Sequence, residues 1–264
     1  MHDPETLREI AVQIAGEAAG LLRDNACSEK YTRTLGGETI GADVEAESYI
    51  IEALRREGVR YPIVSEESGL TEGRGDLVVL LDPLDGSKNY SNCIPWSSVS
   101  LAFYTRTGEP LAGAVAPIFY GNTLSFARGA GCYEGGRRIE ALEPPSRFLY
   151  VYIEHPDAAR ALAEIVVALR GGFKIRSLGS AALEIAYVAI GRGHSFIDLR
   201  SKLRNIDVAA AFGMILECGG IGLTPRGRIE RLNVGTVEKL GSVAFTRSPE
   251  LESILQRAAW GPAQ

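Results

Sequence analysis

Six consecutive residues, Asp82-Pro83-Leu84-Asp85-Gly86-Ser87, concentrate the most legible chemistry in this chain. They close an apolar run over Asp76 to Asp82 (DLVVLLD) that has the length and composition of a buried strand. Pro83 holds the residue before it extended, so two carboxylates three positions apart leave the strand across a tight turn and can converge on one point. Hard divalent cations take such oxygen donors, and Mg²⁺ is usually held by a few carboxylates, water and substrate phosphate. The Leu84 carbonyl belongs to the same turn, Gly86 permits close backbone approach, and Ser87 suits a helix N-cap, so the amides after Asp85 can cradle an anion. The same residue types also build ordinary turns. Two unpaired carboxylates at the end of a buried strand are costly without a cation, which weights the metal reading.

Other acids gain meaning from that turn. Glu66 and Glu67 close the preceding predicted strand, Asp43 opens a helix, and Asp207 lies in the first turn of another. Singly, the glutamates read as surface charge and the two aspartates as helix caps or dipole partners. Together they supply the oxygen donors of a metal centre. The three histidines are isolated, and Cys27, Cys93, Cys132 and Cys218 are far apart with no Cys-x-x-Cys pair. Serine or cysteine triads and zinc sites therefore lack donors, and the cysteines read as buried free thiols.

The positioning elements follow from periodicity. Asp3-Pro4 is a helix start, with apolar residues at helical spacing to about Asp24; a polar stretch, residues 34–38, follows. A second amphipathic helix runs from about Asp43 to Glu57 and stops at Gly58. Strands are predicted over Tyr61 to Ser65, Asp76 to Asp82, Ser98 to Thr105, Pro110 to Phe119 and Asn122 to Ala127. Gly129 to Gly136 reads as a hairpin loop. Beyond Pro144-Pro145 the pattern alternates: strand Phe148 to Ile153, helix Pro156 to Leu169, strand Phe173 to Leu178, helix Gly179 to Ile190. It ends with strand His194 to Leu199, helix Asn205 to Cys218 and a closing helix Pro249 to Ala259. Two lobes are expected, 1–145 (α+β, with most of the acids) and 146–264 (α/β, with Asp207).

With 264 residues, 45% apolar and 23% charged, the composition excludes disordered, collagen-like and coiled-coil chains. A net charge of −5 argues against nucleic acid as a partner. No apolar run reaches the ~18 residues of a membrane span, and the first residues lack a signal-peptide pattern, so a cytoplasmic protein is expected. Asn89-Tyr90-Ser91 is a formal glycosylation sequon that lies inside the acidic motif.

Glu66-Glu67, then Asp82-Pro83-Leu84-Asp85-Gly86-Ser87-Lys88-Asn89-Tyr90, then Asp207-Val208-Ala209-Ala210 with Gly219-Gly220 downstream, resemble in order and spacing the inositol monophosphatase family. Arg176-Ser177-Leu178-Gly179-Ser180-Ala181-Ala182 resembles a further family segment. The resemblance implies a layered α-β-α-β-α sandwich and a Mg²⁺-dependent phosphomonoesterase, usually a homodimer, with two or three cations per subunit and Mn²⁺ as a substitute. It implies Glu66, Asp82, the Leu84 carbonyl, Asp85 and Asp207 as metal ligands, and Glu67 as an acidic neighbour holding a metal or its waters. Asp43 would orient Ser87, and Asp85, Gly86 and Ser87 would bind phosphate. Hydrolysis would use a metal-activated water, with no covalent phosphoenzyme.

Two departures from animal-type members bear on substrate. Ile206 replaces a tryptophan before Asp207, and the stretch from Phe196 to Asn205 is longer and basic. That region resembles archaeal-type members, which hydrolyse inositol phosphates and fructose 1,6-bisphosphate. Arg176 and Arg200 are then the candidates for a second phosphate, with Ser180 and Ala181 contacting sugar oxygens. The segment from Gly36 to Asp43 departs from the Lys- and Thr-rich family loop. Lys88 also occurs in a branch acting on 3′-phosphoadenosine 5′-phosphate, which is the alternative substrate. A non-catalytic, transcription-associated role, known for one bacterial relative, is the remaining alternative.

Overall fold

Asp3 caps helix α1 (Pro4–Asn25): its carboxylate accepts hydrogen bonds from the amides of Glu5 and Thr6 at 3.0 and 3.1 Å, and Pro4 fills the first turn, where an amide would have no partner. The computed structural model describes residues 3–27, 41–140, 142, 145–255 and 260. After α1 come α2 (Ala42–Arg56), β1 (Ile63–Ser65), β2 (Gly69–Leu70), β3 (Leu77–Asp85), α3 (Ser87–Ser91), β4 (Ser98–Thr105), β5 (Pro110–Pro117), β6 (Leu124–Ala127), β7 (Gly131–Glu134) and β8 (Arg137–Arg138). The second half adds β9 (Phe148–Tyr152), α4 (Pro156–Ala168), β10 (Lys174–Arg176), α5 (Ala181–Ala189), β11 (Ser195–Asp198) and α6 (Asn205–Glu217). It closes with β12 (Ile221–Thr224), β13 (Gly227–Arg228), β14 (Val243–Thr246) and α7 (Pro249–Leu255).

The strands form two sheets, an eight-stranded one ordered β2-β1-β3-β4-β5-β6-β7-β8 and a six-stranded one ordered β10-β9-β11-β14-β12-β13. Helices α1 and α2 cover one face of the first sheet, burying Leu7, Ile14, Ile50 and Leu54 against Val79, Leu101 and Phe103. Helices α5 and α6 fill the space between the sheets, where Ile206, Phe212 and Met214 meet Leu80, Phe126, Phe196 and Phe245. Helices α4 and α7 cover the outer face of the second sheet. The result is the five-layered α-β-α-β-α sandwich that the motifs implied.

Sandwiching between two sheets explains why α6 is apolar on all sides and rich in small residues: every position from Asn205 to Ile215 is buried. Gly213 lets the helix close onto the first sheet, because a Cβ there would lie 2.0 Å from the Phe126 ring. Strand β3 is buried along its whole length and runs parallel to β1, as its unbroken apolar run foretells.

Several expectations change. Strand β3 continues through Pro83 to Asp85, with an irregularity in its pairing to β4 between Asp82 and Asp85 that accommodates the proline. The stretch from Gly129 to Gly136 is two turns around a strand, β7, rather than one loop; Glu217 of α6 accepts from the amides of Gly129 and Gly131. Strands β12 and β14 pair with each other and β14 with β11, completing the second sheet. Cys27 and Cys93 form a disulfide, correcting the reading of four free thiols. They meet because the end of α1 leans on α3, where the Tyr90 hydroxyl donates to the Leu22 carbonyl at 2.7 Å. Cys132 and Cys218 are free and buried. Residues 34–38, Pro144 and 256–259, the last being the end of the predicted closing helix, lie outside the described residues.

Candidate active site

The acids gather because β1 and β3 are parallel neighbours. Ser65 pairs with Leu81, so Glu66 and Asp82 lie side by side where the pairing of β1 with β3 ends. The middle layer brings Asp207, in the first turn of α6, to the same edge, and α2 brings Asp43. The acids perturb one another. Burial raises the Asp82 carboxyl well above its ordinary range, and the charges of Asp85, Asp207 and Glu66 add to this. Burial, then Glu66 and Glu67, push Asp43 up to about 7. Burial raises Asp207 as well, although Arg204 opposes the shift.

The turn of Asp85, Gly86 and Ser87 lies beside these groups. Gly86, not Ser87, caps the short helix α3; it adopts a left-handed conformation with φ of 85°, and a Cβ there would lie 2.9 Å from the Gly179 carbonyl. Ser87 is the first helical residue. Asn89 donates to the carbonyls of Trp96 and Leu178 at 2.7 and 2.6 Å and so ties α3 to the segment before α5. The Leu84 side chain is buried, and its amide donates to Asp82 Oδ1 at 3.1 Å, which curls the turn.

Asp85 is held by four donors. Ser180 Oγ lies at 2.5 Å, the amides of Ala182 and Ala181 at 2.8 and 3.2 Å, and Ser98 Oγ at 3.3 Å. Ser180 and Ala181 are buried and turned onto Asp85. Glu184, one turn along α5, accepts from the amides of Leu178 and Gly179 at 2.7 and 3.1 Å; burial pushes its carboxyl up to about 8. Glu47 of α2 accepts from the amides of Glu67 and Ser68 at 3.1 and 3.0 Å and so shapes the Glu66-Glu67 turn.

Two expected phosphate partners stand elsewhere. Arg200 is committed to Asp198, which is fully buried, with an Nη2–Oδ2 distance of 2.8 Å; its guanidinium also stacks 4.2 Å from the Tyr152 ring centroid. A buried carboxylate demands a cation, and Arg200 supplies it. Arg176 is exposed on β10, 5.0 Å from the Phe148 ring centroid, and donates to the Ile175 carbonyl. Asp43 Oδ1 is buried without a hydrogen-bond partner among the described residues, so the expected link from Asp43 to Ser87 is not made.

Arg204 is the residue that sequence patterns do not single out. Its Nη1 lies 2.6 Å from Glu66 Oε1 and its Nη2 2.8 Å from Asp207 Oδ1, while its amide donates to Asp207 Oδ2 at 2.9 Å. Burial opposes its charge, yet the hydrogen bonds and charges of Glu66 and Asp207 hold it protonated well above the usual arginine range. The signal available in sequence is the i,i+3 spacing to Asp207. Glu47 has a similar signal, standing i,i+4 from Asp43 on α2.

A hard divalent cation fits this donor set. Asp43, Glu66, Asp82, Asp85 and Asp207 bring five carboxylates to one strand edge, where Arg204 offsets part of their charge. Burial first, and neighbouring acids after it, raise the carboxyls of Asp43, Asp82, Asp85 and Asp207, and oxygen-only donors suit Mg²⁺. Among the described residues no three acids are already drawn onto one point. Asp85 is occupied by its four donors, and Arg204 spans Glu66 and Asp207.

The profile of the inositol monophosphatase family matches residues 3–260. An inositol-1-monophosphatase from Aeropyrum pernix is 48% identical, over 99% of this chain and 98% of its own. A fructose-1,6-bisphosphatase/inositol-1-monophosphatase from Thermococcus kodakarensis is 33% identical over 85% of this chain and 84% of its own. A solved Pyrococcus horikoshii structure, described as similar to inositol-1 monophosphatase, superposes with a TM-score of 0.80 at 27% identity, covering 96% of this chain and 98% of that one. With its acids at the strand edge, its five-layered sandwich and a profile match along nearly its whole length, this chain belongs to the inositol monophosphatase family.

Proposed function

We propose that the protein hydrolyses a phosphate monoester of a polyol or sugar with Mg²⁺, and that inositol 1-phosphate is the preferred substrate. The observation that carries the reading is that Glu66 and Asp207, spanned by Arg204, stand near enough to Asp82 to raise its carboxyl, beside the turn of Asp85, Gly86 and Ser87. Glu66, Asp82, the Leu84 carbonyl, Asp85 and Asp207 would hold the cations. Magnesium, when bound, supplies neutralisation of the phosphoryl oxygens and a water more acidic than bulk. Ser87 and the amides of the turn position the phosphoryl group. Glu66 and Glu67 lie where a proton from the attacking water can be taken up, and the buried walls of the turn limit bulk water. Ser180 and the amides of α5 keep Asp85 in place while charge develops. A water nucleophile requires no covalent phosphoenzyme.

The choice of a monophosphate rests on Arg200, which is engaged by Asp198, and on the Aeropyrum pernix relative's name. Fructose 1,6-bisphosphate is the second reading, favoured by the Thermococcus kodakarensis relative's double name. The test is phosphate release with Mg²⁺ from inositol 1-phosphate, fructose 1,6-bisphosphate and adenosine 3′,5′-bisphosphate in parallel. A kcat/KM highest on inositol 1-phosphate supports the proposal. Comparable values on the first two select a dual phosphatase. Preference for the nucleotide overturns the polyol reading, and no release from any of them overturns the hydrolase reading.

A further inference from the structure

We propose that Arg204 is an internal counter-cation which holds the acid cluster together before metal enters and which a divalent cation must displace from Glu66 and Asp207. The inference rests on the reading of these acids as metal ligands. Its own observation is a bridge between layers: one guanidinium joins Glu66, at the end of β1, to Asp207, in the first turn of α6, at 2.6 and 2.8 Å.

A guanidinium and a hard cation compete for the same oxygens but satisfy them differently. The guanidinium donates planar hydrogen bonds, whereas a divalent cation takes the lone pairs at ~2.0–2.1 Å. An oxygen directed at Arg204 is not free to ligate until that hydrogen bond breaks. Without Arg204, Asp207 would stand buried with no cationic partner, a costly arrangement. The arginine therefore stabilises the metal-free protein and by the same contacts lowers its apparent affinity for metal, since ligand binding is measured against the free state it replaces.

The local structure suits a side chain that moves on a fixed base. On one side, Asn205 donates its amide to the Glu238 carbonyl; on the other, Leu240 donates to the Leu203 carbonyl; Arg204 itself bridges Lys239. The backbone is thus pinned on both flanks of Arg204, whereas the side chains of Arg204 and Glu66 are 26% and 31% exposed. The guanidinium can rotate toward solvent about its own torsions while Asp207 stays in place.

The test is calorimetric titration of Mn²⁺ into the metal-stripped wild type, Arg204→Gln, Arg204→Lys and Asp82→Asn, with thermal scans of each without metal. Glutamine removes the charged contacts, so Arg204→Gln should melt lower without metal and bind Mn²⁺ roughly tenfold more tightly, the range expected for one or two lost charge-assisted bonds. Arg204→Lys, which keeps the charge, should stay nearer the wild type. A residue that merely supported the site would lower affinity when removed, so unchanged or weaker binding by folded Arg204→Gln overturns the proposal. If that variant does not fold, crystals of the wild type grown with and without Mn²⁺ decide. Loss of the contact from Arg204 to Glu66 with metal bound supports the displacement, and its persistence overturns it. Failure of the underlying reading looks different: wild type and Asp82→Asn would then bind Mn²⁺ equally weakly.

Discussion

Asp43 and Asp82 carry their charge at the expense of burial. Asp43 is pushed up to about 7 by burial and by Glu66 and Glu67, and Asp82 and Asp207 are raised too. Asp43 binds more protons folded than unfolded between about pH 4 and 7, so its contribution to stability falls as pH rises through that window, and the raised Asp82 and Asp207 act in the same direction. A divalent cation removes this penalty by favouring the ionised forms. The rise in Tm on adding Mg²⁺ should thus be larger at pH 8 than at pH 5, measured against parallel scans in EDTA; equal increments would contradict the assignment. Arg200 makes a different prediction. Because it neutralises the fully buried Asp198, Arg200→Ala should cost about 3–5 kcal/mol of stability, the usual penalty for breaking a buried pair. It should lower turnover of monophosphate and bisphosphate alike, which parallel denaturation and activity measurements would check.

Among the elements, α3 and the start of α5 act as one unit. Asn89 joins them, Gly86 packs against the Gly179 carbonyl, and Glu184 holds the amides of Leu178 and Gly179. Gly86→Ala places a methyl group at φ of 85° and 2.9 Å from backbone oxygen. It should cost about 1–3 kcal/mol and displace the turn of Asp85, Gly86 and Ser87. Urea midpoints and kcat/KM should both fall, and retained activity with wild-type stability would show that the turn relaxes. Much at this scale is legible in sequence: the Asp3-Pro4 start of α1, the buried run of β3, and the apolar α6 all carry periodicities that local geometry imposes. Strands β12 to β14 are less legible because they are short, lie among turn residues, and join the sheet only through the pairing of β14 with β11.

Across the whole molecule, the sandwich places the ends of β1 and β3 from the first sheet next to α6 from the middle layer, and the site exists only where they meet. The disulfide between Cys27 and Cys93 acts at the same scale, closing 66 residues of chain over α2, β1 and β3. Restriction of the unfolded chain by a loop of that length stabilises by about 4 kcal/mol in the chain-entropy model. Reduction, or Cys27→Ser, should therefore lower the urea midpoint of non-reduced protein, and thiol labelling should count two accessible cysteines more after reduction of the unfolded chain. Identical midpoints with and without reductant would remove the disulfide from the stability account.

The place of each acid along its own element was legible in the local pattern. Strand length, helix phase and the D-P-L-D-G-S turn are local properties, and they place Glu66, Asp82, Asp85 and Asp207 at the ends of elements whose order dictates the sandwich. Tertiary structure alone decided what those side chains touch. Arg204 reaches Glu66 across 138 residues, Ser180 reaches Asp85 across 95, and Cys27 reaches Cys93 across 66. Arg200 turned inward because Asp198, two residues away, became fully buried. Local pattern sets backbone conformation and the face a residue occupies. The partner that satisfies a buried charge depends on which layer packs above it, and that is a property of the assembled core.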